Sequence, residues 1–244
     1  MKKLIVAIVG VCAVVALAAK PQDDSEVDPD EFILPGKGSL AVISLAPAQN
    51  DVVQTAAKSF ADTTLVKTDF KAQKDEFCCK KAADLLKASG ASAAIFVIDM
   101  EGMPIDILAM EDRWAAVNVA ALRKDGPGAE KLAKRLRCLV IRAAGQLLGV
   151  LVPRTTNGIM VGAASLTDLD VIKTEFLTYD LLANVKRYSD KSGLVPGRRM
   201  SYRKACEREI APPPTTEYQK KVWDEFHSLP TKPIKIKFDK TLGK

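Results

Sequence analysis

Histidine is almost absent, and His227 is the single one in 244 residues. A zinc site resting on two or three imidazoles is thereby excluded within one chain. Aromatic residues make up only 6%. The cysteines contain no C-x-x-C pair, which removes the thioredoxin-like and zinc-ribbon readings. No G-x-S-x-G elbow or phosphate-cradling glycine loop occurs, and Ser44 and Ser165 lack the histidine base of a hydrolase triad. There is no low-complexity segment, no internal repeat and no RNA- or DNA-binding motif, so no nucleic-acid partner is expected.

What is present is an ordinary globular composition, 48% hydrophobic and 27% charged. A chain of this length can bury roughly 70% of its unfolded surface, so it needs no disulfide or metal scaffold merely to fold. The beginning is distinctive. Met-Lys-Lys and the apolar run 4–19 read as the n- and h-regions of a secretory signal peptide, with Ala16-Leu17-Ala18 as the small-x-small cleavage site. The run is shorter than the roughly 20 residues of a spanning helix, so the membrane is met only transiently and the mature chain is expected in the periplasm or outside the cell. Loss of Lys2 and Lys3 takes the formal charge from +6 to +4. That charge belongs to the tail: residues 188–244 carry 13 Lys+Arg against 7 Asp+Glu, whereas 19–187 carry 21 against 23. Such a tail suits an acidic envelope polymer or a solvated surface.

These shifts divide the chain into a signal peptide (1–18), an acidic flexible leader (19–38), a folded domain (39–187) and a basic C-terminal extension (188–244). Within the domain, 40–45 reads as a buried strand, 51–61 as a helix, 64–70 as a strand and 80–89 as a helix ending at Gly90. Strand-like runs follow at 93–100, 105–110 and 114–122. This alternation predicts an α/β (α+β) fold built on a mixed sheet. The best-defined element is a helix over 129–148, with Leu132, Leu136, Leu139, Val140, Ala143 and Leu147 on a core face and Gly149 as its stop. Lys131, Lys134, Arg135 and Arg137 are placed on the opposite, solvent side. Ser165-Leu-Thr-Asp168 resembles a capping box that opens a helix over 171–185. In the tail, 216–226 reads as a short helix carrying His227 in a structural role, and 234–238 alternates as an edge strand does. Of the four cysteines beyond the leader, Cys138 reads as a buried hydrophobe, and Cys206 has Cys78 or Cys79 as candidate bridge partners.

The stretch 142–181 carries a resemblance. Metzincin metallopeptidases hold zinc with H-E-x-x-H-x-x-G-x-x-H, followed by a methionine-bearing turn, and the archaemetzincin branch continues with C-x4-C-x-M-x17-C-x-x-C around a second, structural zinc. Gly149 takes the glycine place of that pattern and Met160 the turn methionine, with the spacing kept to the residue. The three histidine places hold Arg142, Gln146 and Val152, the glutamate place holds Ala143, and the cysteine places hold Pro153, Gly158, Thr178 and Leu181. Gly145, Leu147 and Leu148 resemble the family's glycine-leucine run. Residues 114–123 resemble its edge strand leading into the zinc helix. Spread over 39–187, the chain resembles an archaemetzincin that lacks its zinc ligands.

The resemblance implies a metzincin-like mixed sheet with a long former zinc-site helix, a methionine turn and a following helix. It also implies no metal and no cofactor. Arg142 repels a dication and does not deprotonate to bind one. Arg142 and Gln146, an i/i+4 pair, put a guanidinium and an amide on one stripe that can clasp a carboxylate of the protein itself or of a ligand. The reading that follows is an exported pseudopeptidase acting as a binding module for a peptide or an acidic envelope polymer. Its alternatives are a hydrolase with unconventional metal ligands or paired carboxylates, drawn from Glu101, Asp106, Glu111 and Asp112, and a structural envelope protein.

Overall fold

The computed structural model describes residues 31–150, 158–160, 165–178, 181–182, 185 and 193–228. The segment read as a signal peptide, Val152, Pro153 and the 234–238 segment lie outside them. Two compact units divide the chain, one spanning Phe32–Ser201 and the other Met1–Glu31 with Tyr202–Lys244.

The larger unit is built on a five-stranded mixed sheet. Its strands are β2 (Ser39–Ser44), β3 (Lys67–Ala72), β4 (Ala93–Ile98), β5 (Asp106–Ala109) and β6 (Trp114–Asn118). They lie in the order β3-β2-β4-β6-β5. All neighbours are parallel except β5, which runs antiparallel to β6 with Leu108 opposite Ala115. The near-continuous apolar runs of β2, β4 and β6 are what a sheet covered on both faces demands. Alternate residues serve two cores. Leu40, Val42, Ile95, Val97, Ala115 and Val117 face the core shared with α1 (Asn50–Thr64) and α4 (Ala129–Leu148). Ala41, Ile43, Phe96, Ile98, Trp114 and Ala116 face a smaller core under α2 (Ala82–Ser89). There Phe77, Phe96 and Trp114 meet at ring-centroid separations of 5.3 to 6.2 Å. Gly90 ends α2 in the left-handed conformation, φ 72°, as expected from its place after the last apolar residue.

Several boundaries differ from the sequence reading. The run 114–122 is not one strand: Asn118 stops it. The buried Asn118 amide donates to the carbonyls of Met100 and Met103 at 2.9 and 3.1 Å, and its Oδ1 accepts from the backbone N–H of Met100 and Ala120. The last of these bonds caps a short helix, α3 (Val119–Leu122). β6 is also interior rather than an edge, because β5 adds outside it.

The leader is not wholly flexible either. Residues Glu31–Leu34 form β1, which pairs with β7 (Arg198–Ser201), so the folded unit runs past position 187 to Ser201. Gly36 and Gly197 explain this ordering. Their backbone N–H groups donate to the carbonyls of Leu65 and Thr64 at 3.0 and 2.8 Å, covering the C-terminal end of α1. A Cβ on Gly197 would stand 2.5 Å from Leu65 Cβ, so only glycine allows the approach.

The smaller unit contains α6 (Tyr202–Glu207) and α7 (Glu217–Ser228), the second matching the helix expected near 216–226. Arg203 joins them with a bidentate pair to Glu225 at 2.9 and 2.8 Å. The Tyr202 hydroxyl donates to the Pro212 carbonyl at 2.6 Å.

Candidate functional site

Everything of chemical interest in the resembling stretch hangs on α4. The helix forms because its apolar residues recur at helical spacing, and it ends where Gly149 turns left-handed at φ 90°. The Gly149 N–H then donates to the Gln146 carbonyl, and that of Val150 to the Gly145 carbonyl, at 2.9 and 2.8 Å.

One side chain on α4 departs from expectation. Arg135 is not on the solvent side; it is fully buried, at 0% exposure. Its Nε and Nη2 donate to the two carboxylate oxygens of Asp170 at 2.7 and 2.8 Å. Nη1 and Nη2 donate to those of Asp125 at 2.6 and 2.7 Å, and Nη1 also donates to the Leu122 carbonyl at 3.0 Å. Five hydrogen bonds to two carboxylates and a carbonyl match the five N–H groups of a guanidinium. Lys131 adds a pair to Asp170 at 2.9 Å. The Arg135 guanidinium, with Lys131 behind it, pulls the Asp170 carboxyl down to about 2 against the desolvation that raises it. A sequence signal existed: Arg135 stands three residues after Leu132 and four before Leu139, on the border of the core stripe.

The anchored acid also marks where the helix expected to lead into 171–185 is interrupted: residues 171–178 are not helical, whereas Leu181 and Leu182 are. α5 (Leu166–Asp170) opens with the expected capping box, Ser165 Oγ accepting from the Asp168 N–H at 3.3 Å and Asp168 accepting from the Ser165 N–H at 2.9 Å. It ends at Asp170. The Asp170 carboxylate is held by Arg135 and its carbonyl accepts from Lys134 Nζ at 3.2 Å. The chain then runs back to a parallel bridge between Thr174 and Gly158.

Met160 occupies a turn and is 0% exposed, as the methionine-turn expectation requires. It lies against α4 at Gly145, where an added Cβ would come 2.8 Å from Met160 Sδ and 3.2 Å from a Leu177 methyl. Gly145 therefore gives up helix propensity to admit the methionine. Three residues earlier on the same stripe stands Arg142, also buried, at 8% exposure. Its Nε and Nη1 are enclosed, and no described residue hydrogen-bonds either atom. Gln146, the next residue along the stripe, is half-buried, and Ala143 is buried. Of the cysteine places, Gly158 sits in the bridge to Thr174, and Thr178 accepts from the Leu181 N–H at 3.1 Å.

Two solved structures are similar to this chain in fold. One is an archaemetzincin from Methanopyrus kandleri, at TM-score 0.48 and 15% identity, covering 62% of this chain and 95% of the other. The second is a zinc-dependent peptidase from Methanocorpusculum labreanum, at TM-score 0.46 and 10% identity, covering 60% and 99%. No family model and no curated protein matches the sequence.

A zinc ion does not fit the residues on α4. The described ligand places offer a guanidinium and an amide, and the guanidinium's buried nitrogens are donors with no lone pair to give. Among the described residues no group of three or more His, Cys, Asp or Glu is placed to hold a metal.

The remaining candidates are scattered. Glu101, Glu111 and Asp112 are exposed in turns, and Asp106 is half-buried at the start of β5. Ser44 is buried and donates to the Ala46 carbonyl at 3.4 Å. His227 is exposed and stacks on Trp223 at 3.9 Å. Among the described residues Cys78, Cys79, Cys138 and Cys206 are free. Cys138 is buried as expected, and burial pushes its thiol up to about 11.

Proposed function

We propose that this chain is a binding protein rather than a peptidase, an exported pseudopeptidase that holds a peptide or an envelope component. The observation that carries this reading is Arg142. Where the resemblance puts the first metal ligand, α4 supplies a buried, permanently charged donor group whose Nε and Nη1 meet no described partner. Hydrolysis by the family's route needs a metal-activated water and a carboxylate to deprotonate it. Arg142 and Ala143 offer a cation no lone pair, the Gln146 amide oxygen is a single neutral ligand where a catalytic zinc needs three, and none of the three residues is a base. What they supply is recognition: a guanidinium and an amide one helical turn apart, over a floor fixed by Gly145 and Met160.

Metal content and turnover test the reading together. The mature protein, dialysed against metal-free buffer and analysed by elemental mass spectrometry, is expected to hold far less than one zinc per chain. A chelator should leave its melting temperature unchanged, unlike a domain whose folding is coupled to metal. Stoichiometric zinc accompanied by peptide cleavage would overturn the proposal in favour of a hydrolase with unconventional ligands.

Export rests on the sequence of residues 1–19. The chain recovered from cells should begin near Ala19. A retained Met1 in a cytoplasmic fraction would remove export from the proposal.

A further inference from the structure

We infer that the group recognised at this site is a carboxylate, taken in by the Arg142 guanidinium; the inference rests on the binding reading above. It starts from a contrast within one helix. Arg135 and Arg142 are seven residues apart, so they stand two turns apart on nearly the same stripe of α4. Both are buried, at 0% and 8% exposure. Arg135 has two carboxylates and a carbonyl brought to it by Asp125, Asp170 and Leu122. Arg142 has two enclosed nitrogens with no described acceptor. Enclosing donors of a charged group without acceptors is costly, and the cost vanishes when acceptors arrive from outside.

A carboxylate meets the Nε edge of a guanidinium with two parallel bonds, through Nε and Nη2, as Asp170 meets Arg135 at 2.7 and 2.8 Å; of that fork Arg142 holds Nε enclosed without a described acceptor, and its enclosed Nη1 belongs to the other edge. Gln146, four residues on and half-buried, adds an amide that can donate to the same group and leaves the stripe reachable from solvent at its next turn. A carboxylate reaches a protein from two sources, the C-terminus of a peptide and an acidic side chain, and the same fork takes both.

The test uses three N-acetylated hexapeptide mixtures on the full mature chain. The first lacks Asp and Glu and keeps its free C-terminus; the second is the same mixture amidated; the third is amidated with one internal Glu. Binding is read by calorimetry and by the Arg142 Nε–H cross-peak in NMR, identified by its loss in Arg142→Lys. The expected result is that the first or third mixture binds and moves the Nε–H signal while the second does neither. A response to the first assigns a terminal carboxylate, and a response to the third an acidic side chain. Arg142→Met should weaken the binding by about tenfold or more, because charge-assisted bonds are lost. In the unliganded protein the same substitution should raise the melting temperature, since it removes a buried charge without a partner.

A fall in melting temperature in Arg142→Met would overturn the inference, by showing that the guanidinium is held within the chain. So would an Nε–H signal that stays still in all three mixtures, a measurement that needs no variant to fold. Equal binding of the first and second mixtures would remove the carboxylate and leave the binding reading standing. Peptide cleavage would remove the binding reading instead.

Discussion

Replacing Arg135 by methionine is expected to destabilise the protein by about 3 kcal/mol, the lower end of the range for removing one partner of a buried ionic network. The side chain is fully enclosed and five hydrogen bonds converge on it. Methionine preserves most of the volume, so the loss is chiefly one of charge pairing and not of packing. The estimate sits low because Asp125 and Asp170 keep 42% and 26% of their side-chain surface exposed and can turn to water when the guanidinium is gone. The consequence for architecture exceeds the energy. Arg135 ties α4 to the loop after α3 through Asp125 and to the end of α5 through Asp170, so three separate segments lose their common anchor. Urea unfolding at pH 7 measures the loss, and a change below about 0.5 kcal/mol, typical of an exposed site, would contradict the burial described here.

The same network has a signature in acid. The folded-state carboxyl of Asp170 titrates near 2, below its ordinary value of 3.8, because it accepts from Arg135 and Lys131. A depressed pKa contributes stability that is complete above the unfolded value and is lost as pH falls toward the folded one. The wild-type protein should therefore lose stability steeply between about pH 4 and pH 2 from this group. In Arg135→Met that part of the acid limb should flatten. An unchanged acid limb would mean that Asp170 is not paired as described.

Met160→Ala is expected to cost about 2 to 5 kcal/mol, the range for cutting a long buried side chain to a methyl. Met160 is wholly buried against a helix position without a side chain, and Leu177 closes the other side. Gly145 has nothing with which to refill the space, which places the cost in the upper part of that range. A double-mutant cycle gives the sharper test. In the parent, alanine at position 145 places its Cβ 2.8 Å from Met160 Sδ, so the methionine must shift. In the Met160→Ala background that obstacle is gone, and the helix propensity of alanine over glycine, about 1 kcal/mol, is recovered. The two substitutions should therefore couple favourably by about 1 kcal/mol or more. Strict additivity would show that the methionine does not rest on the glycine.

How much of this was legible follows from which forces are local. The sheet strands, α1, α2 and α4 announce themselves through apolar periodicity, because a face that must be buried repeats at the period of its own backbone. The glycine stops at Gly90 and Gly149 and the capping box at Ser165 are equally local, since each satisfies orphan groups of its own helix end. The spacing of Gly149 and Met160 pointed to a methionine turn under α4, and Met160 does lie against that helix at Gly145.

What only tertiary structure decided concerns partners remote in sequence. Whether β6 is an edge depends on where β5 adds, and a β-strand reads the same with one neighbour or two. That residues Glu31–Leu34 join the fold depends on Arg198–Ser201, more than 150 positions away. The sharpest case is the pair of arginines on α4. A side-chain period gives each the same border place on the core stripe, and the sequence carries no sign of which one meets acids. Asp170 lies 35 residues from Arg135 and is delivered to it by the fold; no described residue is delivered to Nε or Nη1 of Arg142. Charge is a property of the residue and was always visible. Its neutralisation is a property of position in space, and that difference separates a structural clamp from a candidate binding site.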